Sequence, residues 1–502
     1  MPLSLVALKA LSREHTRMSG SGRVGFDFTF AMGKPPTTRV QGSKLRMLVV
    51  ADFAGTALPT FSIKQVNLDN LDALVKAFGP QVQVQSSDPN LAPCTLTFES
   101  LDDFHPDEIF KKVSWFSELD RTRRELSNPA SFATAAARLL GTGSATPSGS
   151  AEPAAATSLF ASLLGGNAAP AAAAPKAAPQ AGLDAMIARA IAPHVVPTAD
   201  PQLGQLMSAV EATMADRMRD VLHSPAFARL ESAWRGLERL VATFPGDAGV
   251  EVWAAAVPPE ELLTDAAKTE GQLDSSLIGE LLCSASAPAW SIVVVDHLFG
   301  NATNDLIGLG AFGAAAGRIG ASIVAGAASP LAGRATEPVD PALLETWSML
   351  RQSPLAPHLA LVHPSMLLRL PYGPRRNEVR VFPFDELGSN GDPNPQRLLW
   401  GAGSWAVAGA LAKAFTEDPN ELPLGASDVV DDMPTLTYRN RDGETQLYSC
   451  AQIWLNDSQA QALLAAGLIP LVAHKDLARA TLVRMQSIAS PPQPMLLRKV
   501  EA

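Results

Sequence analysis

At 502 residues with 47% hydrophobic content, the chain has apolar material for roughly two to four packed domains. Forty basic against 50 acidic residues leave a formal charge of −10 and a pI near 5.4, so a protein whose main task is binding nucleic acid, which needs a basic surface, is set aside. Cys94, Cys283 and Cys450 lie far apart with no CxxC or Cys/His ligand spacing, as expected of buried thiols in a reducing compartment. The N-terminal MPLSLVALKALSREHTR has no basic segment before its short apolar run and no small-residue cleavage site after it, so no secretory leader is expected. The least polar stretch, residues 306–333, is rich in Gly and Ala and broken by Arg318, short of the ~20 strongly apolar residues a membrane span requires. A soluble cytoplasmic protein without direct membrane insertion is expected.

In chain order, the first patterned stretch is RVGFDFTF at residues 23–30. Val24, Phe26, Phe28 and Phe30 alternate with Gly25, Asp27 and Thr29, the period of a half-buried strand. Its place near the chain end, between glycines and the Gly33, Pro35, Pro36 cluster, suits either an edge strand of its own domain or an arm lent to a neighbouring chain. KLRMLVVA (residues 44–51) has the length and content of a buried strand, and residues 94–98 form another. Then follows LTFESLDDFHPDEIFKKVSWFSELDRTRREL. Pro106 suits a first helical position, Asp107 and Glu108 complement the positive end of the helix dipole, and Asp103 or His105 can cap. Ile109, Val113 and Phe116 are expected on one helical face, with Arg121, Arg123 and Arg124 near its negative end. A metal held by Asp102, Asp103, His105 and Glu108 would use the same residues, but ordinary helix-start physics accounts for them and no metal is expected.

LRMLVVADFAG followed by LTFESLDDFHPDEI resembles the small subunit of the type VI secretion contractile sheath, in which a similar strand and turn precede an LxFxSLDDFxPxxI helix start. RVGFDFTF sits where that family has an N-terminal strand.

Residues 141–182 are built from Ala, Pro, Gly and Ser, with Glu152 and Lys176 as the only charges and SLFASLL as the one apolar cluster. Such a segment cannot offset its ordering entropy by burial and reads as a linker of roughly 35 to 40 Å root-mean-square span. It would hold the flanking parts together at an effective concentration on the order of millimolar.

The next strong element is a helix opened by Ser224 as N-cap and Pro225 at its first position. Phe227, Leu230, Trp234, Leu237 and Val241 recur at spacings of three and four, an apolar face expected to be core or partner interface. Residues 250–257 and WSIVVVD (290–296) read as strands of an α/β sheet, with a helical region around residues 260–282 between them. Gly308, Gly310 and Gly313 match G-x-G-x-x-G but stand about a dozen residues past the strand; a second match, Gly20, Gly22 and Gly25, precedes one. Neither offers the strand-to-helix turn that cradles a pyrophosphate, so close helix packing is the better account and no cofactor is expected. Arg369 and Tyr372 lack a partnered base or nucleophile and read as structural. With no GxSxG elbow, Walker A loop or HExxH pair, no catalytic residue is assigned and no enzyme is expected.

Four ordered blocks carry a second resemblance: MRDVLHSPAFARLESAWRGLERLV, then WSMLRQS with LLRLPYGP, then LLWGAGSWAVAGALAKAF, and last QAQALLAAGLIPLVAHKD. Together they resemble the large subunit of the same sheath. Two sheath subunits fused in one chain is the resulting expectation: 1–140 small-subunit-like with a strand arm, 141–182 linker, and 183–385 and 386–502 as the two large-subunit-like parts. The fold implied is α/β with mixed sheets flanked by helices. The implied function is structural: self-assembly into a helical homo-oligomer around an inner tube of stacked hexameric rings, built on baseplate components, contracting to deliver an effector. The family also has a AAA+ disassembly ATPase, and the place of the helix that it recognises is here largely taken by the linker and LDAMIARAIAPHV. The family's GW..IRG element is replaced by LGASDVVDDMPTLTYRNRDGET. A non-polymerising adaptor or cap of the same fold, and an unrecognised α/β enzyme, are the other classes consistent with the sequence.

Overall fold

A computed structural model describes residues 43–55, 62–140 and 201–501, apart from loop residues 245, 247–248, 330, 334–340, 375, 389–392, 441 and 476. The RVGFDFTF stretch and residues 141–182 lie outside the described residues.

The strands in chain order are β1 (Ser43–Ala51), β2 (Ile63–Val66), β3 (Gln81–Val84), β4 (Cys94–Thr97), β5 (Val250–Ala256), β6 (Ile292–Phe299), β7 (Ser322–Ala327), β8 (Leu359–His363), β9 (Met366–Leu367), β10 (Trp400–Gly401), β11 (Asp428–Val430), β12 (Leu436–Arg439), β13 (Thr445–Tyr448), β14 (Leu468–Ala473), β15 (Ala480–Leu482) and β16 (Val500–Glu501). One large sheet takes the order β11-β15-β14-β8-β7-β6-β1-β5-β2, with β16 paired to the start of β1. Strands β5, β1, β6, β7, β8 and β14 run parallel, while β2, β11 and β15 add antiparallel edges, giving a mixed α/β sheet. Parallel strands need crossover helices, which cover both faces, and this is why KLRMLVVA and WSIVVVD read as continuous apolar runs.

The faces separate cleanly. Leu45, Met47, Val49 and Ala51 of β1, with Ile292 and Val294 of β6, point into one core; Leu48, Val50, Val293 and Val295 point into the other. On the first face lie helices Leu71–Phe78, Pro106–Lys112, Ser117–Ser127, Phe132–Leu139, Pro201–Leu222, Pro225–Val241 and Ser404–Glu417; on the second lie Pro259–Lys268, Leu277–Cys283, Thr303–Ile319, Pro341–Gln352 and Asp457–Ala465.

Two expected boundaries shift. The helix starting at Pro106 stops at Lys112, and after a short 3-10 turn a second helix runs from Ser117 to Ser127. Ile109, Val113 and Phe116 are all buried, so the apolar spacing was that of a broken helix still facing the core. The helical region around 260–282 is likewise two helices, Pro259–Lys268 and Leu277–Cys283, the second begun by the Ser276 side chain accepting from Gly279 N. Gly308, Gly310 and Gly313 lie within the Thr303–Ile319 helix. A Cβ at Gly308 would come within 2.1 Å of Leu263 Cδ2, so there the missing side chain permits close helix packing.

Candidate functional site

The site that distinguishes this molecule is the joint between its two sequence halves. β1 belongs to the first half, yet it lies between β5 and β6 of the second. Its ladder on one side runs from Leu45↔Val250 to Ala51↔Ala256, and on the other from Met47↔Ile292 to Val50↔Val295. The first half thus supplies a central strand, with both backbone edges satisfied by residues more than 200 positions away. At the strand's entry Lys44 Nζ and Arg46 Nε sit 2.7 and 2.6 Å from the two Glu251 oxygens. Burial disfavours the Glu251 carboxylate, but the bonds from Lys44 and Arg46 outweigh it and hold the carboxyl below its ordinary range.

Beside the sheet, the Pro225–Val241 helix forms an aromatic seam. Ser224 Oγ accepts from Phe227 N at 3.2 Å, and Pro225 occupies the first turn. Phe227, Leu230, Trp234, Leu237 and Val241 are all buried, and the first half supplies partners for the two aromatics. Phe227 packs on Phe98 and Phe104, ring centroids 6.0 and 5.8 Å away, while those two rings stack at 4.2 Å. Trp234 meets Phe53 edge-on at 5.0 Å and donates its Nε1 hydrogen bond to the Phe53 carbonyl.

The SLDDFHP stretch holds this seam in register. Asp103 Oδ2 accepts from Glu99 N and Ser100 N, and its other oxygen is 2.8 Å from Lys112 Nζ. Burial opposes the Asp103 charge, but these bonds more than offset it and the carboxyl lies below its usual range. His105 Nδ1 accepts from Asp107 N, and its ring stands edge-on to Tyr372 at 5.0 Å. Asp107 Oδ1 accepts from Arg380 N and Val381 N of the second half, and Glu108 meets Lys111. Of the residues weighed as metal ligands, Asp103 and His105 serve caps and Glu108 pairs with Lys111 within the first half, while the cross-half bonds come from Asp107; no group of three or more His, Cys, Asp or Glu among the described residues is placed to hold a metal. Further links are Arg217 Nη1 to the Trp115 carbonyl, Arg123 to Glu211 and the Val381 carbonyl, and Asp220 accepting from Ser86 and Ser87.

Behind the seam is a buried ionic cluster built around Arg369 and Tyr372, two residues that read as structural in the sequence. Arg369 donates to both oxygens of Glu231, at 2.6 and 3.0 Å, and to both of Glu386, at 2.8 and 3.2 Å. Tyr372 N donates to Glu386 Oε2, the Arg369 guanidinium stacks 4.3 Å from the Tyr372 ring, and His223 Nε2 is 3.3 Å from Glu386 Oε1. Burial penalises the Glu386 charge, yet Arg369, His223 and the Tyr372 N–H together outweigh it and bring its carboxyl down to about 2. Burial also raises the Tyr372 hydroxyl well above its ordinary value. The cluster ties the seam helix, through Glu231, to residues 369–386, the segment that also receives Asp107. Arg369 was visible in LRLPYGP; its carboxylate partners were not, because neither lies at a fixed offset from it.

The carboxyl ends of β1 and β6 gather a second charged group. Arg229 lies 3.6 Å from Asp52 and 3.2 Å from Glu260, and His297 lies 3.2 Å from Asp305. Asp296 is half-buried and accepts from Trp405 Nε1 at 3.0 Å; desolvation pushes its carboxyl up to about 6. Burial raises Asp52 as well, against the Gly55 N–H bond and Arg229.

The comparisons with known proteins agree with this division. Residues 204–489, more than half of the chain, match the VipB family model, described as EvpB/VC_A0108, tail sheath N-terminal domain. Residues 40–138 match the model described as type VI secretion system, VipA, VC_A0107 or Hcp2. Among curated proteins the chain is 24% identical over 308 residues to the type VI secretion system sheath protein TssC1 of Pseudomonas aeruginosa, covering 57% of this chain and 61% of that protein. It is 34% identical over 93 residues to the sheath protein TssB1 of the same organism, covering 16% of this chain and 54% of that protein. The chain thus spans between half and two thirds of the length of each relative. With both family segments present and packed into one sheet, the chain belongs to the type VI secretion tail-sheath family and unites its small- and large-subunit types in a single polypeptide.

Proposed function

We propose that this chain is a fused sheath protomer that polymerises into a helical tube around an inner tube of stacked hexameric rings, assembles on baseplate components in the cytoplasm, and contracts to drive effector delivery. The single observation that carries this reading is β1 lying between β5 and β6. In the matched families the corresponding segments belong to separate sheath proteins, TssB1 and TssC1. Here they share one sheet, so each chain brings a complete heterotypic pair, and residues 141–182 enforce one-to-one stoichiometry as a tether. No bond chemistry is required of such a protomer: free energy is stored in many repeated interfaces with two arrangements, and small shifts add along the polymer. Among the described residues no helix is long and apolar enough to cross a membrane, in keeping with a role exercised beside one.

In this reading Val24, Phe26, Phe28 and Phe30 form an arm that adds a strand to a neighbouring protomer, keeping subunits linked while they rotate. The 183–385 and 386–502 parts act as one body, with a AAA+ ATPase as the recycling partner. Electron microscopy of the purified chain, alone and with its candidate inner-tube protein, tests the proposal. Hollow ridged tubes are expected. Discrete particles in both samples would instead identify an adaptor or cap of the same fold. Phe26→Asp with Phe28→Asp is expected to abolish tubes while leaving a soluble protomer; undiminished polymers would remove the arm from the account.

A further inference from the structure

Residues 141–200 connect two helices that touch each other, Phe132–Leu139 and Pro201–Leu222, both packed on the first face of the sheet. Helices in contact are commonly joined by about 2 to 8 residues. Roughly 60 residues of this composition span about 40 to 45 Å root-mean-square, far more than the connection needs. The surplus holds one uncharged apolar cluster, SLFASLL at residues 158–164, with Leu159, Phe160, Leu163 and Leu164 recurring at helical spacing and no charge between Glu152 and Lys176.

On the second face, a groove of about 380 Å³ opens between helices Thr303–Ile319 and Pro341–Gln352. Leu306, Ile307, Leu343, Met349, Leu350 and Leu355 line it, only Thr303, Thr346 and Ser353 add polar atoms, and no charged side chain takes part. Of its lining, Met349 is 61% exposed, and Leu343 and Leu350 are half-buried. Exposed apolar side chains grouped around an uncharged groove mark a surface that gains by being covered.

We propose that this groove is the docking site of residues 158–164 of the same chain, so that the tether crosses from the first face to the second and clasps the second half. The distance is within reach: residue 158 is 18 positions beyond Leu140, an extended reach of about 60 Å, against two layer spacings of roughly 10 Å each. The other apolar stretch of the tether, LDAMIARAIAPHV, brings Asp184, Arg189 and His194 to a groove with no counter-charge and is held on a shorter leash from Pro201. At an effective concentration on the order of millimolar, even weak apolar docking is populated. A second copy of the chain would have to compete with that local concentration.

Hydrogen exchange on the full-length protomer, read by mass spectrometry, tests this independently of tube formation. Amides of residues 158–164 are expected to exchange about tenfold more slowly in the parent chain than in Met349→Glu, and residues 343–353 to lose protection to a similar degree in Phe160→Asp. Met349 is exposed, and unchanged exchange in β1 and β6 serves as the folding control for both variants. The protection is expected to be the same across a tenfold dilution. Equal exchange in parent and variants would overturn the proposal, as would protection that grows with protein concentration, which would assign the groove to a second copy.

Discussion

The seam that joins the halves and the ionic cluster inside the second half differ in physical kind. The seam of β1 with Phe98, Phe104, Phe227 and Trp234 is apolar and ladder-like, and its stabilisation grows with the surface removed from water. The Arg369 cluster is polar and enclosed, and its members are valuable only together: desolvating a guanidinium and two carboxylates is costly, and the mutual bonds repay this only if all are made. Apolar seams therefore fail by degrees, whereas the ionic cluster fails as a unit.

That contrast is broken most sharply by Arg369→Ala. It strands Glu231 and Glu386 in the core and is expected to cost about 3 to 5 kcal/mol in urea unfolding. Replacing all three members with apolar residues of similar volume, Arg369→Met with Glu231→Leu and Glu386→Leu, is expected to recover most of that loss. A triple variant as unstable as the single one would show that the pair contributes net stability. On the apolar side, Trp234→Ala is expected to cost about 3 to 4 kcal/mol from lost burial and the cavity left behind, and Trp234→Phe clearly less.

Acid titration separates the two electrostatic environments by sign. Glu386 has a folded value of about 2 against an ordinary 4.5, so its stabilisation is complete above pH 4.5 and is lost as pH falls from there towards 2, by roughly 3 kcal/mol in all. Asp296 is the reverse case. Its folded value of about 6 exceeds the ordinary 3.8, so it destabilises fully above pH 6, and that cost is relieved as pH falls from 6 to 3.8. Subtracting the stability profile of Asp296→Asn from that of the parent is expected to leave a component that increases on going from pH 7 to pH 5. A flat difference would show that Asp296 titrates normally. The smallest effect belongs to the rim: Lys44 is 37% exposed, and Lys44→Ala is expected to cost less than about 1 kcal/mol, Arg46 retaining its bond to Glu251.

Local physics makes much of this legible in the sequence alone. Ser224 and Pro225 announced the seam helix, the caps of SLDDFHP were readable from residue type and offset, and the apolar runs marked strands buried on both faces. The break at Val113 was not, because residues 109, 113 and 116 keep a helical spacing of buried positions through it. The Arg369 cluster was half legible: the arginine stood in a recognisable block, while Glu231 looked like one of several polar residues on an amphipathic helix.

By itself the sequence determined which segments become strands and helices, where several helices begin, and the family resemblance of each half, since all of these depend on residues within a few turns of one another. Only the tertiary structure decided that β1 enters between β5 and β6, and that Glu231 meets an arginine 138 positions away. A parallel strand's side chains record that both its faces are buried. They do not record which strands lie beside it, because backbone hydrogen bonds are the same for every neighbour; the packing of the whole sheet makes that choice.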